Sequence, residues 1–475
     1  MLTERNTWQE RVDLGREMTC QLGRDRPIVF VGNVPHALPP AARESLAQHT
    51  VPPSAYEGRT PWIAASYSLS EPPIVVMQES PYEKEIEVLL VACQKLDILP
   101  PIIQIYPNGF PYDHDTIQKL VEPNGHHFHH PFIGTADYSN SSNGSALPDS
   151  QPFQNKARMR EHLSATNTVP GIPILAGGKS VQEHCTDIRK AVMQLGGDVR
   201  VKVATTASGM NTVRTNSQRF RDDTVHRRQT LEELIPDYIH KPEGRANNDI
   251  IVENEITFGH QNEYADYGFR GYLLPDGKFK FTSVGRVIST EEGVYQGMFM
   301  ATPENSHLIG LSEPGLKEGC NIMATFAHSI HQEGYSGPIN LDIFENGNSD
   351  HPGLVHDFNM RDGGSSASGA FAKVVNPNGI VLDIDLRLSS GRLKDKEINE
   401  MIALLWERHQ VITYSTTFLR YPVTQPDGNK MYTVKVMVPI EDSVAIDEQG
   451  REIIRNKVKQ FNEWGVANGT FHFDE

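Results

Sequence analysis

The stretch HDFNMRDGG, residues 356–364, sets Asp357, Asn359 and Arg361 at alternate positions and then breaks into glycines. Side chains at i, i+2 and i+4 of a strand share one face. The spacing therefore predicts a strand that turns Phe358 and Met360 toward a core and lines up a carboxylate, an amide and a guanidinium opposite. Carboxylate and amide oxygens are hard donors suited to Mg²⁺, which keeps several waters and takes few protein ligands. A guanidinium beyond them is a fixed cation for a phosphoryl oxygen or an oxyanion.

Working outward, GPINLDIF (337–344) reads as the neighbouring antiparallel strand and brings a second carboxylate, Asp342. A triphosphate also needs lysines and a turn of small residues. Lys156 in NKARM opens a short helix, and Lys202 lies in the strand VRVKV, followed by TTASG with Ser208 and Gly209. Glu253 and Glu255 sit on the buried strand NDIIVENEITF, with His260 and Glu263 just beyond. Taken singly these are bland: Asp-x-Asn-x-Arg also arises on exposed strand faces, Lys202 reads as a surface residue, and the two glutamates read as edge-strand charges. Their order along the chain is what gives them weight.

That order, N-K, V-K-x(6)-G, V-x-E, D, then D-x-N-x-R, resembles the ATP-grasp superfamily over about Lys156 to Arg361. Within it the resemblance is nearest to the peptide ligases of the pheganomycin type. It implies a cleft between two α+β lobes with ATP inside it. Lys156 and Lys202 would touch the phosphates, with Ser208 and Gly209 in the phosphate turn. The strand of Glu253 and Glu255 would lie against the adenine, and His260 or Glu263 would hold the ribose. Asp342, Asp357 and Asn359 would hold Mg²⁺, or Mn²⁺ in its place, and Arg361 would stabilise the transferred phosphoryl group together with Lys202. The chain departs from the usual pattern in having Asp357 for a glutamate, a single glycine after Lys202, and Asn340 where some carboxylate ligases carry an arginine. The last departure leaves the substrate carboxylate without an assigned partner.

The implied activity is ATP-dependent joining of a carboxylate to an amine, with amino-acid-like or peptide-like substrates, through an acyl phosphate. Two other outcomes fit the same residues: a kinase that stops at phosphoryl transfer, and a nucleotide-binding protein without catalysis. No Ser-His-Asp or Cys-His arrangement suggests a covalent nucleophile.

Whole-chain properties set the frame. The 475 residues exceed what one core serves, so several domains are expected. Acidic side chains number 60 against 44 basic ones, a net charge of −16, which argues against a general nucleic-acid or anionic-membrane binder. Cys20, Cys93, Cys185 and Cys320 are scattered, with no CxxC pair to suggest zinc or a disulfide framework. The opening MLTERNTWQERVDLGREM has no apolar core of a signal peptide, and no later run reaches 18 apolar residues. A cytoplasmic protein, with a homodimer as one option, is the expectation.

The architecture expected is α/β and α+β in three units. Residues 1–150 read as an α/β unit, because PIVVMQ, EKEIEVLLVACQKL and PIIQIYP follow one another as strand, helix and strand, and the resemblance implies the Rossmann-like domain that precedes the ATP-binding part. Residues 151–375 would form the ATP-binding domain, with a small lobe over 151–247 and a large lobe over 248–375. Residues 376–475 would form an α+β extension, whose helix EINEMIALLWERH buries Ile398, Met401, Ile402 and Leu405 on one face. GHHFHHPF, with His126, His127, His129 and His130, reads as a polar loop. Segments 204–230 and 287–312 are candidate lids.

Overall fold

In the computed structural model the alternation of DFNMR begins at the end of the strand Gly353–Asn359, part of a large antiparallel sheet, and the rest of the fold explains what lies on each of its faces. The structure describes residues 28–31, 58–65, 72–77, 79–105, 127–129, 153, 155–204, 212–218, 249–256, 265–274, 276–289, 295–345, 353–362, 365–389, 394–424, 430–441, 447–467 and 472–473. The strands are β1 (Ile28–Val31), β2 (Ile74–Met77), β3 (Ile102–Ile105), β4 (His127–His129), β5 (Gly171–Ile174), β6 (Asp198–Val203), β7 (Thr212–Asn216), β8 (Ile250–Asn254) and β9 (Ala265–Leu273). They continue as β10 (Phe279–Ser289), β11 (Tyr295–Ala301), β12 (Gly337–Glu345), β13 (Gly353–Asn359), β14 (Ile380–Ser389), β15 (Ile412–Tyr414), β16 (Val423–Thr424), β17 (Lys430–Ile440) and β18 (His472–Phe473). The α-helices are α1 (Thr60–Ala65), α2 (Glu83–Lys95), α3 (Lys156–Met159), α4 (Val181–Leu195), α5 (Glu313–Gln332), α6 (Ser366–Val375), α7 (Asp395–His409) and α8 (Asp447–Ala467).

Three sheets result. The N-terminal strands form a parallel sheet ordered β3-β2-β1-β4, as short apolar runs separated by a helix require. Its β4 corrects the loop expected at GHHFHHPF: residues 127–129 pair with β1. A four-stranded sheet, β5-β8-β6-β7, forms the small lobe. Val199, Val201, Val203, Ile250 and Val252 pack there against Ile188, Ala191 and Val192 of α4. Ser180 and Glu183 start that helix with a reciprocal capping box. Strand β8 pairs with both β5 and β6, so this sheet takes in residues beyond 247, where the small lobe was expected to end.

The third sheet has ten strands along the path β13-β12-β9-β10-β11-β14-β17-β15, with β16 and β18 attached at its side. The C-terminal segment is therefore no separate layer: β14 pairs with β11, and the sheet runs on unbroken. For the same reason 287–312 is not a lid, since β11 is an interior strand between β10 and β14. Of the other proposed lid, 212–218 is β7 and its continuation, and most of the remainder lies outside the described residues.

One core underlies this sheet. Phe358 and Met360 are buried in it, and Phe358 meets Phe326 of α5 at 5.5 Å between ring centroids. The same core takes in Trp62 of α1, Val88 and Leu89 of α2, and Ile398, Met401, Ile402 and Leu405 of α7. The N-terminal sheet and the C-terminal strands are thus packed into one body. Cys93, Cys185 and Cys320 form no disulfide with one another. No helix among the described residues is long and apolar enough to cross a membrane.

Candidate functional site

The site begins with register. Asn340, Leu341 and Asp342 of β12 stand opposite Asn359, Phe358 and Asp357 of β13, and then Ile343 pairs with Val355. His356 is the extra residue of a β-bulge, a feature that twists a strand locally and re-aims its side chains. Asp342 and Asp357 are therefore direct cross-strand neighbours on the face away from α5. Like charges placed so repel unless a cation joins them. Asn359 Nδ2 donates to Asp357 Oδ2 at 2.8 Å, and an Arg361 guanidinium nitrogen donates to Asn359 Oδ1 at 3.0 Å. The row of three expected from the sequence is a connected chain. Asn340 holds its end by donating to the Arg361 carbonyl at 2.6 Å.

The small lobe supplies cations from across the cleft. Asn155 caps α3 by accepting from Ala157 N at 3.0 Å, while its amide donates to Asp249 at 2.6 Å. This fixes Lys156 at the first helical position, and its Nζ is ion-paired with Asp357. Lys202 of β6 is ion-paired with Glu253 of the adjacent β8, and its Nζ lies 3.5 Å from the His356 carbonyl of the bulge. Arg160 joins Glu253 at 3.4 Å. A backbone bond from Val169 to the Val355 carbonyl, 3.0 Å, stitches the small lobe to β13.

The two aspartates are driven apart electrically. Burial raises the pKa of Asp342, and the charges of Asp357 and Asp266 push it further up. Burial also acts to raise Asp357, but Lys156 and Lys202 outweigh it and hold that carboxyl below its ordinary range. His356 shares a hydrogen bond with Asp266 at 3.0 Å and stacks on Phe344 at 3.9 Å. Burial alone would lower its pKa, yet the Asp266 charge lifts it above the ordinary value.

Among the described residues no three His, Cys, Asp or Glu side chains converge as a preformed metal cage. Two carboxylates facing each other, with an amide one step along, still fit Mg²⁺, whose remaining positions go to water and phosphate. The structure brings Lys156, Lys202, Asp342, Asp357, Asn359 and Arg361 together, with Glu253 attached through Lys202. Glu255 belongs to a neighbouring cluster, held by Arg200 (2.6 Å to Oε1) and Arg214 (3.3 Å). Ser208, Gly209, His260 and Glu263 lie outside the described residues.

Sequence reasoning missed Arg160, Asp266, Gly268, Arg270 and His356. A signal for three of these was present: ADYGFRGYL alternates Asp266, Gly268 and Arg270 with Tyr267, Phe269 and Gly271 in the same period-two pattern as DFNMR. Asn340 pairs with Arg270 and Asp342 with Gly268, so β9 extends the polar face by one strand.

Neither a family model nor a curated protein sequence matches the chain. Solved structures do. An N5-carboxyaminoimidazole ribonucleotide synthetase in complex with ADP aligns at 11% identity with a TM-score of 0.52, covering 93% of this chain and 97% of that one. The corresponding synthetase of Thermus thermophilus aligns at 12% identity, TM-score 0.50, over 90% of this chain and 98% of its own. This is an ATP-grasp fold. At such identities the likeness establishes the architecture, and the chemistry has to be argued from the site.

Proposed function

We propose that this protein is an ATP-dependent carboxylate–amine ligase. The observation that carries the reading is the bridge between lobes: Lys156, on the small lobe, reaches Asp357, which faces Asp342 on the large-lobe sheet. Lysines on one wall and hard oxygen donors on the other fit a nucleotide tail and a divalent cation between them. One synthetase with this fold was solved with ADP, which supports a nucleotide in the equivalent cleft.

On this reading Asp342, Asp357 and Asn359 would hold Mg²⁺, which would supply neutralisation of phosphate charge. Lys156 would turn from Asp357 to a phosphate oxygen, exchanging one anionic partner for another. Lys202, braced by Glu253, would cradle the phosphates from the same wall as Lys156. A carboxylate oxygen of the acid attacks the γ-phosphorus, and the bond to the β-phosphate oxygen breaks with its electron pair leaving on ADP. Arg361 stabilises the charge that builds on the transferred group. The amine then attacks the acyl carbon, loses a proton, and the phosphate leaves with the C–O electron pair. Positioning and charge neutralisation do the catalysis, and no protein nucleophile is required.

The test is Mg²⁺-dependent phosphate release over a panel of amino acids and short peptides, each acid supplied with and without an amine partner. Release that requires both supports the ligase. Release with the acid alone and a stable phosphorylated product would move the assignment to a kinase, and no nucleotide-dependent turnover with any pair would refute it.

A further inference from the structure

The polar face does not stop at Asp342. Two residues along from the Asp342–Gly268 pair, Phe344 of β12 stands opposite Asp266 of β9. His356 stacks on Phe344 with the ring planes 13° apart, and its Nε2 donates to Asp266 Oδ1 at 3.0 Å. One imidazole on β13 thus reaches across β12 to β9. His356 and Asp357 are consecutive residues, yet both lie on this face, which a regular strand does not allow.

The register explains what that contact holds. Without the extra residue, two pairings are open to β13. If Asp357 kept its place opposite Asp342, His356 would fall opposite Ile343, whose side chain lies in the core. If Val355 kept its place opposite Ile343, Asp357 would fall opposite Leu341, also in the core, because a one-residue slip turns a strand over. The first pairing buries an imidazole among apolar side chains and the second buries a carboxylate there, and both are costly. The bulge avoids both while keeping Val355, Phe358 and Met360 buried. It also serves the small lobe: the Val355 carbonyl accepts from Val169 N at 3.0 Å, and the His356 carbonyl lies 3.5 Å from Lys202 Nζ.

We propose that His356 is a positioning residue of the candidate metal site: its imidazole, stacked on Phe344 and bonded to Asp266, fixes the bulge that aims Asp357 across from Asp342 and the His356 carbonyl at Lys202. The inference rests on the ligase reading for what Asp342 and Asp357 hold. His356 acts through the backbone of β13, so its side chain matters through the stack and the bond to Asp266 and through nothing else.

The experiment is Mn²⁺ binding to the full chain in the presence of ADP, read from the loss of the free-ion electron paramagnetic resonance signal well below the melting temperature. A leucine side chain is welcome opposite Ile343, so His356→Leu frees β13 to straighten. That variant should bind Mn²⁺ about 10- to 100-fold more weakly, the usual loss when a supporting partner of a metal ligand is removed. His356→Gln keeps a donor close to the Nε2 position and should stay within about threefold of native, inside the tenfold that 1.4 kcal/mol represents. If His356→Leu does not fold, His356→Phe keeps a ring on Phe344, loses the donor, and carries the test with an expected loss of about tenfold or more. A merely structural role would lower the melting temperature and leave Mn²⁺ affinity at the native value, which overturns the inference. Equal losses in His356→Gln and His356→Leu also overturn it, since the bond to Asp266 would not be what holds the bulge, as does a native chain that takes up no Mn²⁺ with ADP. Mn²⁺ binding that depends on His356, in a chain without acid- and amine-dependent phosphate release, would keep this inference and remove the ligase reading. Such release together with native Mn²⁺ affinity in His356→Leu would remove the inference alone.

Discussion

Two stretches of this chain read almost alike. Asp-Phe-Asn-Met-Arg (357–361) runs out of β13, and Asp-Ile-Asp-Leu-Arg (383–387) runs along β14. Both alternate polar and apolar residues, and both bury the apolar set: Phe358 and Met360 in one, Ile384 and Leu386 in the other. What differs is the cover on the polar face. Asp383 lies with no exposed surface, accepting from Tyr414 and Ser368 at 2.7 Å each, with Lys435 at 3.5 Å. Asp385 pairs with Lys435 at 2.7 Å. Helix α6 and strands β15 and β17 satisfy this face from within one continuous body. Asp357 takes its ion pair from Lys156, which belongs to another lobe. Partners that arrive from the same core make a structural cluster, and partners that arrive across a cleft leave room for a ligand between them.

The largest expected contrast is between Asp357→Ala and Asp383→Ala. The first should cut Mg²⁺-dependent turnover by about 10³-fold or more, because the metal and the charge arrangement go together, with a smaller loss of stability than the second as Lys156 loses its partner. Steady-state phosphate release and a melting curve on the same sample check both halves. Substantial turnover in that variant would remove the candidate site. Asp383→Ala should do the reverse, costing about 3–5 kcal/mol of stability by leaving Lys435, Tyr414 and Ser368 without a shared acceptor. Chemical denaturation reads this, and MgADP affinity should stay within about twofold of native, well inside the 1.4 kcal/mol that a tenfold change represents. A variant that loses nucleotide affinity and keeps its stability would mean that the two stretches do not differ as argued.

Lys202→Ala should have a smaller effect, weakening ATP binding by about 10- to 100-fold as one charge-assisted contact to phosphate is lost. It also leaves Glu253 with Arg160 alone among the ion pairs described for it, so a modest loss of stability should accompany it. Titration with a fluorescent ATP analogue would show the change, and unaltered affinity would detach Lys202 from the phosphates.

The smallest effect is in pH dependence without metal. Asp342 has a raised folded pKa, so its contribution to stability falls as pH climbs from the unfolded carboxylate value through the raised one. Asp357 has a depressed folded pKa, so its contribution is present above the unfolded value and is lost as pH drops through the folded one. Melting temperature against pH should accordingly lose its decline toward neutrality in Asp342→Asn and part of its acid limb in Asp357→Asn. Added Mg²⁺ should stabilise the native chain more at pH 7 than at pH 5, since Asp342 must ionise to bind it. Identical pH curves for native and Asp342→Asn would show that burial does not perturb that carboxylate.

Much of the fold was legible because periodicity is a local property. The helix EINEMIALLWERH buried the four residues expected of it, and the strand, helix and strand near the start made a parallel pair. Asp342 and Asp357 were legible as neighbours because a polar alternation on two consecutive strands can meet in few registers. The bulge at His356 was not, since an extra residue shows only once both strands are aligned. Strand order was hidden as well. Nothing within β8 says that it pairs between β5 and β6, and nothing within β11 or β14 says that the C-terminal segment would extend the large sheet.

What the sequence determined by itself was which side chains share a face, because the two-residue period of an extended backbone does not depend on the rest of the chain. What only the tertiary structure decided was what each face meets: a second lobe across from Asp357 and a packed helix above Asp383. Those outcomes depend on pairings between residues distant along the chain, whose energies are set by burial and charge in the assembled molecule.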